Sequence, residues 1–307
     1  MSKSVTKSVT IAIPTHNRAR TLNETLDSLK AIAIPDDALL ECLVIDNAST
    51  DDTARVVEAA ANSSPPFPIR RVFEARQGSS CARNRAVDEA GGDFILFLDD
   101  DATADREWLC AILSAMEHRS LDAACGMVLP RWSTPPPRWL GPRLWVKLAV
   151  HDRAAIESGP ANDVEALQNY FSANVGFRRS AFERFGRFRE DLGVVGKNPM
   201  SGEDTELFAR IIAGGGKMGF VAGAIVHHLI GPERMTAEYL RRKSYAYGFG
   251  SAVAGGRSHN QLDKLAKNLV RMCIGALRGD REGVVYHQLE CANFLGYWRG
   301  RLAHRKS

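Results

Sequence analysis

The 307-residue chain contains no run of apolar residues approaching the roughly 18 that a membrane-spanning helix needs, so it is not expected to cross a bilayer. Its six cysteines, Cys42, Cys81, Cys110, Cys125, Cys273 and Cys291, form no CxxC pair. That excludes a zinc ribbon or a dithiol redox motif. Apolar settings such as Glu41-Cys42-Leu43-Val44 suit reduced, buried thiols of a cytoplasmic protein better than a disulfide frame. No apolar stretch of signal-peptide length precedes Thr15-His16-Asn17-Arg18. A phosphate loop is missing as well. Gly214-Gly215-Gly216-Lys217-Met218 lacks the leading glycine and the final Ser or Thr, and Gly248-Phe249-Gly250 follows no strand. Both read as turns or helix ends. The sequence has no internal repeat.

Charge of one sign is scarce overall, with a net of +4, but it is unevenly placed. From Glu233 onward there are 14 Lys/Arg against 6 Asp/Glu, whereas residues 1–232 carry 26 against 30. A basic tail on a slightly acidic body suits an anionic partner, with a merely solvated helix face as the alternative. A bilayer surface, an acidic glycan and nucleic acid are the partners considered; the last is the weakest idea and is not expected.

The first half alternates short β-branched runs with helical stretches. Val9–Ile13, Leu43–Ile45, Ile69–Phe73 and Phe94–Leu98 read as strands, and residues 20–31, a segment ending near 61, and 80–90 as helices. Ser49, Thr50 and Asp51 form a capping group for the second helix. Strands without polar alternation, separated by helices, predict a mostly parallel α/β sheet covered on both faces. Ligands of such sheets bind beyond the carboxyl ends of the strands. The polar clusters at 15–18, 46–51 and 99–101 all fall there. The prolines of the segment Arg131 to Pro142 forbid helix or central strand, and Trp132, Trp139 and Trp145 cluster around it, either to stack on sugar rings or to cap the core. From Thr236 the pattern turns helical. Leu262, Leu265, Ala266, Leu269, Cys273, Ala276 and Leu277 form one stripe, expected to pack on the domain, with a membrane-surface helix as the alternative.

Asp99-Asp100-Asp101 directly follows the strand Phe94–Leu98. Three adjacent carboxylates repel, and a hard divalent cation, Mn²⁺ or Mg²⁺, relieves that repulsion while bridging to a diphosphate. A solvated turn would explain the triplet alone; its place at a buried strand's carboxyl end favours the cation.

These segments resemble the family 2 glycosyltransferases of the GT-A fold. The matching motifs run in order: Ile13–Arg18, Val44–Asp51, Ala82-Arg83-Asn84, Phe97–Asp101, Asn174–Arg178, Gly202-Glu203-Asp204 and Val226-His227-His228. The resemblance implies an inverting, metal-dependent transferase moving a sugar from a nucleotide-sugar donor, most often a UDP-sugar, to a glycan acceptor. It also implies roles. Pro14, Thr15, Asn17, Arg18, Asp46 and Arg83 would serve the nucleotide, Asp46 through its base and Arg83 through phosphate. Asp99 and Asp100 would also face the donor, with Asp100 on the ribose. The metal would be held by Asp101, with His228 and Asp99. Asp204 would be the catalytic base, with Glu203 supporting it or positioning the acceptor; Asn174 and, from the tryptophan–proline segment, Trp132 and Trp139 are the acceptor candidates.

Residues 1–232 are expected to form the transferase domain, its donor half about 8–130 and its acceptor half about 131–232, with a basic helical region over 233–307. An oligomer is compatible with this reading, as is a cytoplasmic protein resting on the inner face of the membrane. A retaining transferase or a sugar nucleotidyltransferase is the nearest enzymatic rival, but the latter's glycine-rich N-terminal signature is absent. A non-catalytic glycan-binding protein is the rival of another class.

Overall fold

Adjacent residues of the central strands feed two different cores, which explains why those strands lack polar alternation. Val9, Ile11, Ile13, Leu96 and Leu98 face one apolar cluster, while Ala12, Ile95 and Phe97 face another on the opposite side of the sheet. The computed structural model describes residues 6–158, 170–193, 200–255 and 261–304. Its first half runs β1 (Lys7–Thr15), α1 (Ala19–Leu29), β2 (Ala38–Asp46), α2 (Thr53–Asn62), β3 (Ile69–Phe73), α3 (Ser79–Glu89) and β4 (Phe94–Leu98), each where the sequence places it. There follow β5 (Ala102–Ala104), α4 (Trp108–His118), β6 (Ala123–Trp132), α5 (Pro142–Trp145), α6 (Arg153–Ser158), β7 (Asn174–Arg178), α7 (Arg179–Phe185), α8 (Glu203–Ala213) and β8 (Met218–Ile230). Three helices close the chain: α9 (Ala237–Val253), α10 (Gln261–Leu277) and α11 (Arg281–His304).

All eight strands form one sheet in the order β3-β2-β1-β4-β7-β6-β8-β5. The β3-β2-β1-β4 half is parallel throughout; β7 runs antiparallel to both neighbours, and β5 is antiparallel to β8. Pro14 is tolerated because β4 pairs only with Val9–Ala12, so the missing donor lies beyond that ladder. The register sets Thr15 beside Asp46 at the ends of β1 and β2, and β4 ends alongside them in Leu98-Asp99. Asp51 joins two helix starts, accepting from the Ala19 amide at 3.0 Å and from the Thr53 amide and hydroxyl at 3.0 and 2.5 Å.

Three expectations need correction. Arg131 and Trp132 belong to β6, paired with Leu229 and Ile230, so the irregular segment starts only at Ser133. Gly248 and Gly250 lie inside α9, not at a turn. There the absence of a side chain lets backbones touch: a Cβ on Gly248 would sit 2.0 Å from the Asn293 oxygen of α11, and one on Gly250 would sit 1.8 Å from the Ser201 oxygen just before α8. The third is α10. Asn268, Met272 and Gly275 turn toward α11, but Leu269, Val270, Ile274 and Leu277 of its apolar side are exposed, Leu277 by 89%. Leu262 lies outside the residues whose side chains are described. Cys273 is exposed too, whereas Cys42, Cys81 and Cys125 are buried thiols as expected. Among the described residues, no helix is long and apolar enough to cross a membrane.

Candidate active site

Two clusters of buried charge meet at the carboxyl ends of β1 and β4. The first is built around the aspartate triplet. Thr15 donates its hydroxyl to Asp100 Oδ2 at 2.7 Å, and Arg18 Nη1 reaches Asp100 Oδ1 at 3.2 Å and Asp101 Oδ2 at 2.5 Å. His228 arrives from β8. The alternation of that strand turns His228 inward and His227 outward, where its Nε2 contacts Asp105 at 2.9 Å. His228 Nε2 lies 3.0 Å from Asp101 Oδ1, and Arg234, in the 3₁₀ turn Pro232–Arg234, reaches Asp101 Oδ2 at 3.3 Å and His228 Nε2 at 3.1 Å. Burial pushes the Asp101 carboxyl up, but His228, Arg18 and Arg234 outweigh it and hold the group well below its usual range. Asp100 goes the other way: burial, with the Asp101 charge beside it, lifts it to about 7 despite Arg18. Adjacent carboxyls therefore differ in what they can bind.

Ligand atoms of Asp99, Asp101 and His228 all lie within 4.8 Å of one another. Asp101 Oδ1 and His228 Nδ1 are buried without an aligned hydrogen-bond partner. Two carboxylates and an imidazole fit Mn²⁺ well, and Mg²⁺ less well because of the nitrogen. The donor set therefore fits a divalent ion.

The second cluster sits at the start of α8. Glu203 Oε1 accepts from Arg83 Nη1 at 2.6 Å and from Ser79 at 2.9 Å, and Oε2 accepts from the Gly202 amide at 3.1 Å. Its neighbour Asp204 is partly exposed. Asp204 Oδ1 accepts from the Thr205 amide at 2.8 Å and Oδ2 from the Ser172 amide at 3.4 Å. Burial opposes ionisation of both carboxyls, but at Glu203 the Arg83 charge together with backbone and Ser79 hydrogen bonds outweighs it and lowers the group. At Asp204 burial and the Glu203 charge prevail and raise it. A carboxylate with a raised proton affinity, at the N-terminus of a helix whose dipole still favours the anion, is suited to general-base work. Tyr247 of α9 stands close by, hydrogen-bonded to Thr205, its phenol raised by burial.

Arg83 links the clusters. It is buried, bonds Ser172 Oγ at 2.9 Å besides Glu203, and stands 3.9 Å from Asp99. The resemblance puts Arg83 on phosphate; here it hydrogen-bonds Glu203 at the start of α8 and Ser172 just before β7. Asp46 is buried, with the Ser49 amide at 2.9 Å on Oδ1 and Arg71 at 2.7 Å on Oδ2. Asn17, in the left-handed region at φ 54, ties its loop to the next by accepting from the Thr50 amide at 2.7 Å. Pro14 is half-buried beside Ile45.

Asn174 is fully buried, its amide used by Met127 O, Ala224 O and Trp108 Nε1, so it is scaffold and not an acceptor contact. Trp132 packs edge-on to Trp145 at 5.6 Å. Trp139 lines a cavity of about 630 Å³ with Met235, Thr236, Gly275, Ala276 and Val284. Arg234 and Arg71 escaped sequence reasoning because neither carries a motif; only the fold brings them to these carboxylates.

Residues 10–186 match the family described as Glycosyl transferase family 2. The succinoglycan biosynthesis protein ExoM of Rhizobium meliloti is 30% identical over 242 residues, covering 78% of this chain and 72% of ExoM. Among solved structures, the mannosyltransferase PcManGT of Pyrobaculum calidifontis, in complex with GDP-Man and Mn²⁺, aligns at a TM-score of 0.61 with 22% identity over 97% of this chain and 74% of that one. Staphylococcus aureus TarS, in complex with UDP-GlcNAc, aligns at 0.58 with 15% identity, over 97% and 92%. At these identities the structural likeness establishes the GT-A fold.

Proposed function

Because the chain belongs to glycosyl transferase family 2, we propose that it transfers a sugar with inversion from a UDP-sugar to a hydroxyl of a saccharide or lipid-linked saccharide, in polysaccharide or cell-surface glycan synthesis. The observation that carries this reading is the pairing of a metal-competent set, Asp99, Asp101 and His228, with a carboxylate of raised proton affinity, Asp204, joined through Arg83. ExoM is named for succinoglycan biosynthesis, which supports the glycan setting. PcManGT and TarS were solved with a GDP-sugar and a UDP-sugar, which supports a nucleotide-sugar donor and leaves its base to experiment.

Asp204 takes the proton of the acceptor hydroxyl as the oxygen forms its bond to the anomeric carbon, and the bond from that carbon to the donor diphosphate breaks with its electron pair. Glu203 and Arg83 hold Asp204 in place. Asp99, Asp101 and His228 would hold Mn²⁺ or Mg²⁺, whose chemistry is to neutralise charge on the departing diphosphate. Trp139 remains the candidate acceptor contact among the tryptophans. Residues 1–232 act as the transferase unit and 233–307 as its helical attachment. With Mn²⁺ present, a panel of UDP-, GDP- and TDP-sugars should include one from which nucleoside diphosphate is released faster when glycan acceptors are added. Release from none of them, with any acceptor, would refute the reading.

The attachment rests on an anionic bilayer surface. The exposed Leu269, Val270, Ile274 and Leu277 of α10 are flanked by exposed Lys264, Lys267, Arg271 and Arg278, a pairing suited to an interfacial helix. The protein should co-sediment with phosphatidylglycerol-containing vesicles, less so at high salt, and lose this on Leu277→Asp with Val270→Asp. Equal recovery with and without vesicles would exclude it.

A further inference from the structure

Arg234 follows β8 by four residues, carries no recognisable motif, and reaches the heart of the charged cluster. Its side chain is only 15% exposed. One nitrogen, Nη1, lies 3.3 Å from Asp101 Oδ2 and 3.1 Å from His228 Nε2, and its guanidinium lies over the Tyr239 ring at 5.9 Å. Its Nε is buried with no partner. The backbone is pinned by the 3₁₀ turn Pro232–Arg234 and by the buried Met235 that follows, so the head group can shift but cannot leave this neighbourhood.

A guanidinium offers five donors and no acceptor, in a planar fork matched to phosphate oxygens. Asp101 already receives Arg18 on the same oxygen at 2.5 Å. Two guanidiniums, one from the N-terminal loop and one from the turn after β8, therefore converge on a single carboxylate from opposite ends of the chain. Pairing Asp101 by itself would need only one of them. Against Asp99, Asp100 and Asp101 the two arginines leave the cluster slightly negative. A divalent ion on Asp99, Asp101 and His228 would make it positive. The anion that satisfies both the ion and the two forks is a diphosphate. Resting on the donor reading above, we infer that Arg234 is a donor-diphosphate ligand, acting together with Arg18 on the leaving group.

The test compares wild type, Arg234→Gln and Arg234→Lys for two affinities: Mn²⁺ without nucleotide, by electron paramagnetic resonance, and whichever of UDP, GDP or TDP the wild type binds, by calorimetry with Mn²⁺ saturating. Loss of one charge-assisted contact should weaken the diphosphate about 10- to 100-fold in Arg234→Gln, while Mn²⁺ binding stays the same or tightens because a neighbouring positive charge is gone. Arg234→Lys should recover part of the loss. Unchanged diphosphate affinity in Arg234→Gln would overturn the inference and leave the donor reading intact. Parallel loss of Mn²⁺ and diphosphate would make Arg234 a structural prop and overturn it equally. A wild type that binds none of the three diphosphates would bring down the donor reading, and this inference with it.

Discussion

Asp204→Asn should abolish sugar transfer, by about 10³-fold, while leaving nucleoside diphosphate affinity near that of the wild type. The amide keeps the shape and can still meet the Thr205 amide, but it cannot accept the acceptor's proton. The folded protein should be unharmed. Because the Asp204 carboxyl is raised in the folded state, its contribution to stability is full below the unfolded-state value and is lost as pH rises through the folded one. Near neutral pH the wild type therefore bears an ionised group that its surroundings disfavour, and the melting temperature of Asp204→Asn should equal or exceed that of the wild type. The pH profile carries the same signature. Transfer needs the carboxylate, so activity falls as pH drops through the Asp204 value, starting higher than for an ordinary aspartate. Arg83→Gln should move this limb higher still, since Arg83 holds both carboxyls down, whereas Arg83→Lys, which keeps the charge, should leave it in place. A melting temperature that drops in Asp204→Asn, or transfer that persists, would assign Asp204 to structure instead of chemistry.

Much of the fold was legible because its rules are local. Residue runs such as Phe94–Leu98 are apolar on both faces, and only a strand between two helical layers uses them. The aspartate triplet, Asp204 and His228 were legible as motifs. What escaped notice depends on long-range pairing. Arg83 lies in a motif, yet its partner is 120 residues away on another helix. Arg234 has a partner 133 residues away. Asn174 was expected at the acceptor, but its amide sews β7 to β6 and β8. The α10 stripe shows the converse limit: periodicity revealed an apolar face without revealing that α11 packs elsewhere on the helix. Likewise Gly248 and Gly250 read locally as breakers, and only the packed helices explain them.

The central claim is that the donor's diphosphate is held through a metal on Asp101. Asp101→Asn would remove the charge of a proposed metal ligand and weaken the grip on His228 and the two arginines. Losing even an outer partner of a metal ligand weakens metal sites by about 10- to 100-fold, so losing a ligand itself should weaken binding by at least about 100-fold. The decisive measurement is calorimetry of UDP, and of GDP and TDP in turn, against wild type and Asp101→Asn, first with Mn²⁺ and then with EDTA. The account predicts binding by the wild type with Mn²⁺ alone, lost in EDTA and lost in Asp101→Asn. Binding of equal strength in EDTA, or in Asp101→Asn with Mn²⁺, would contradict it.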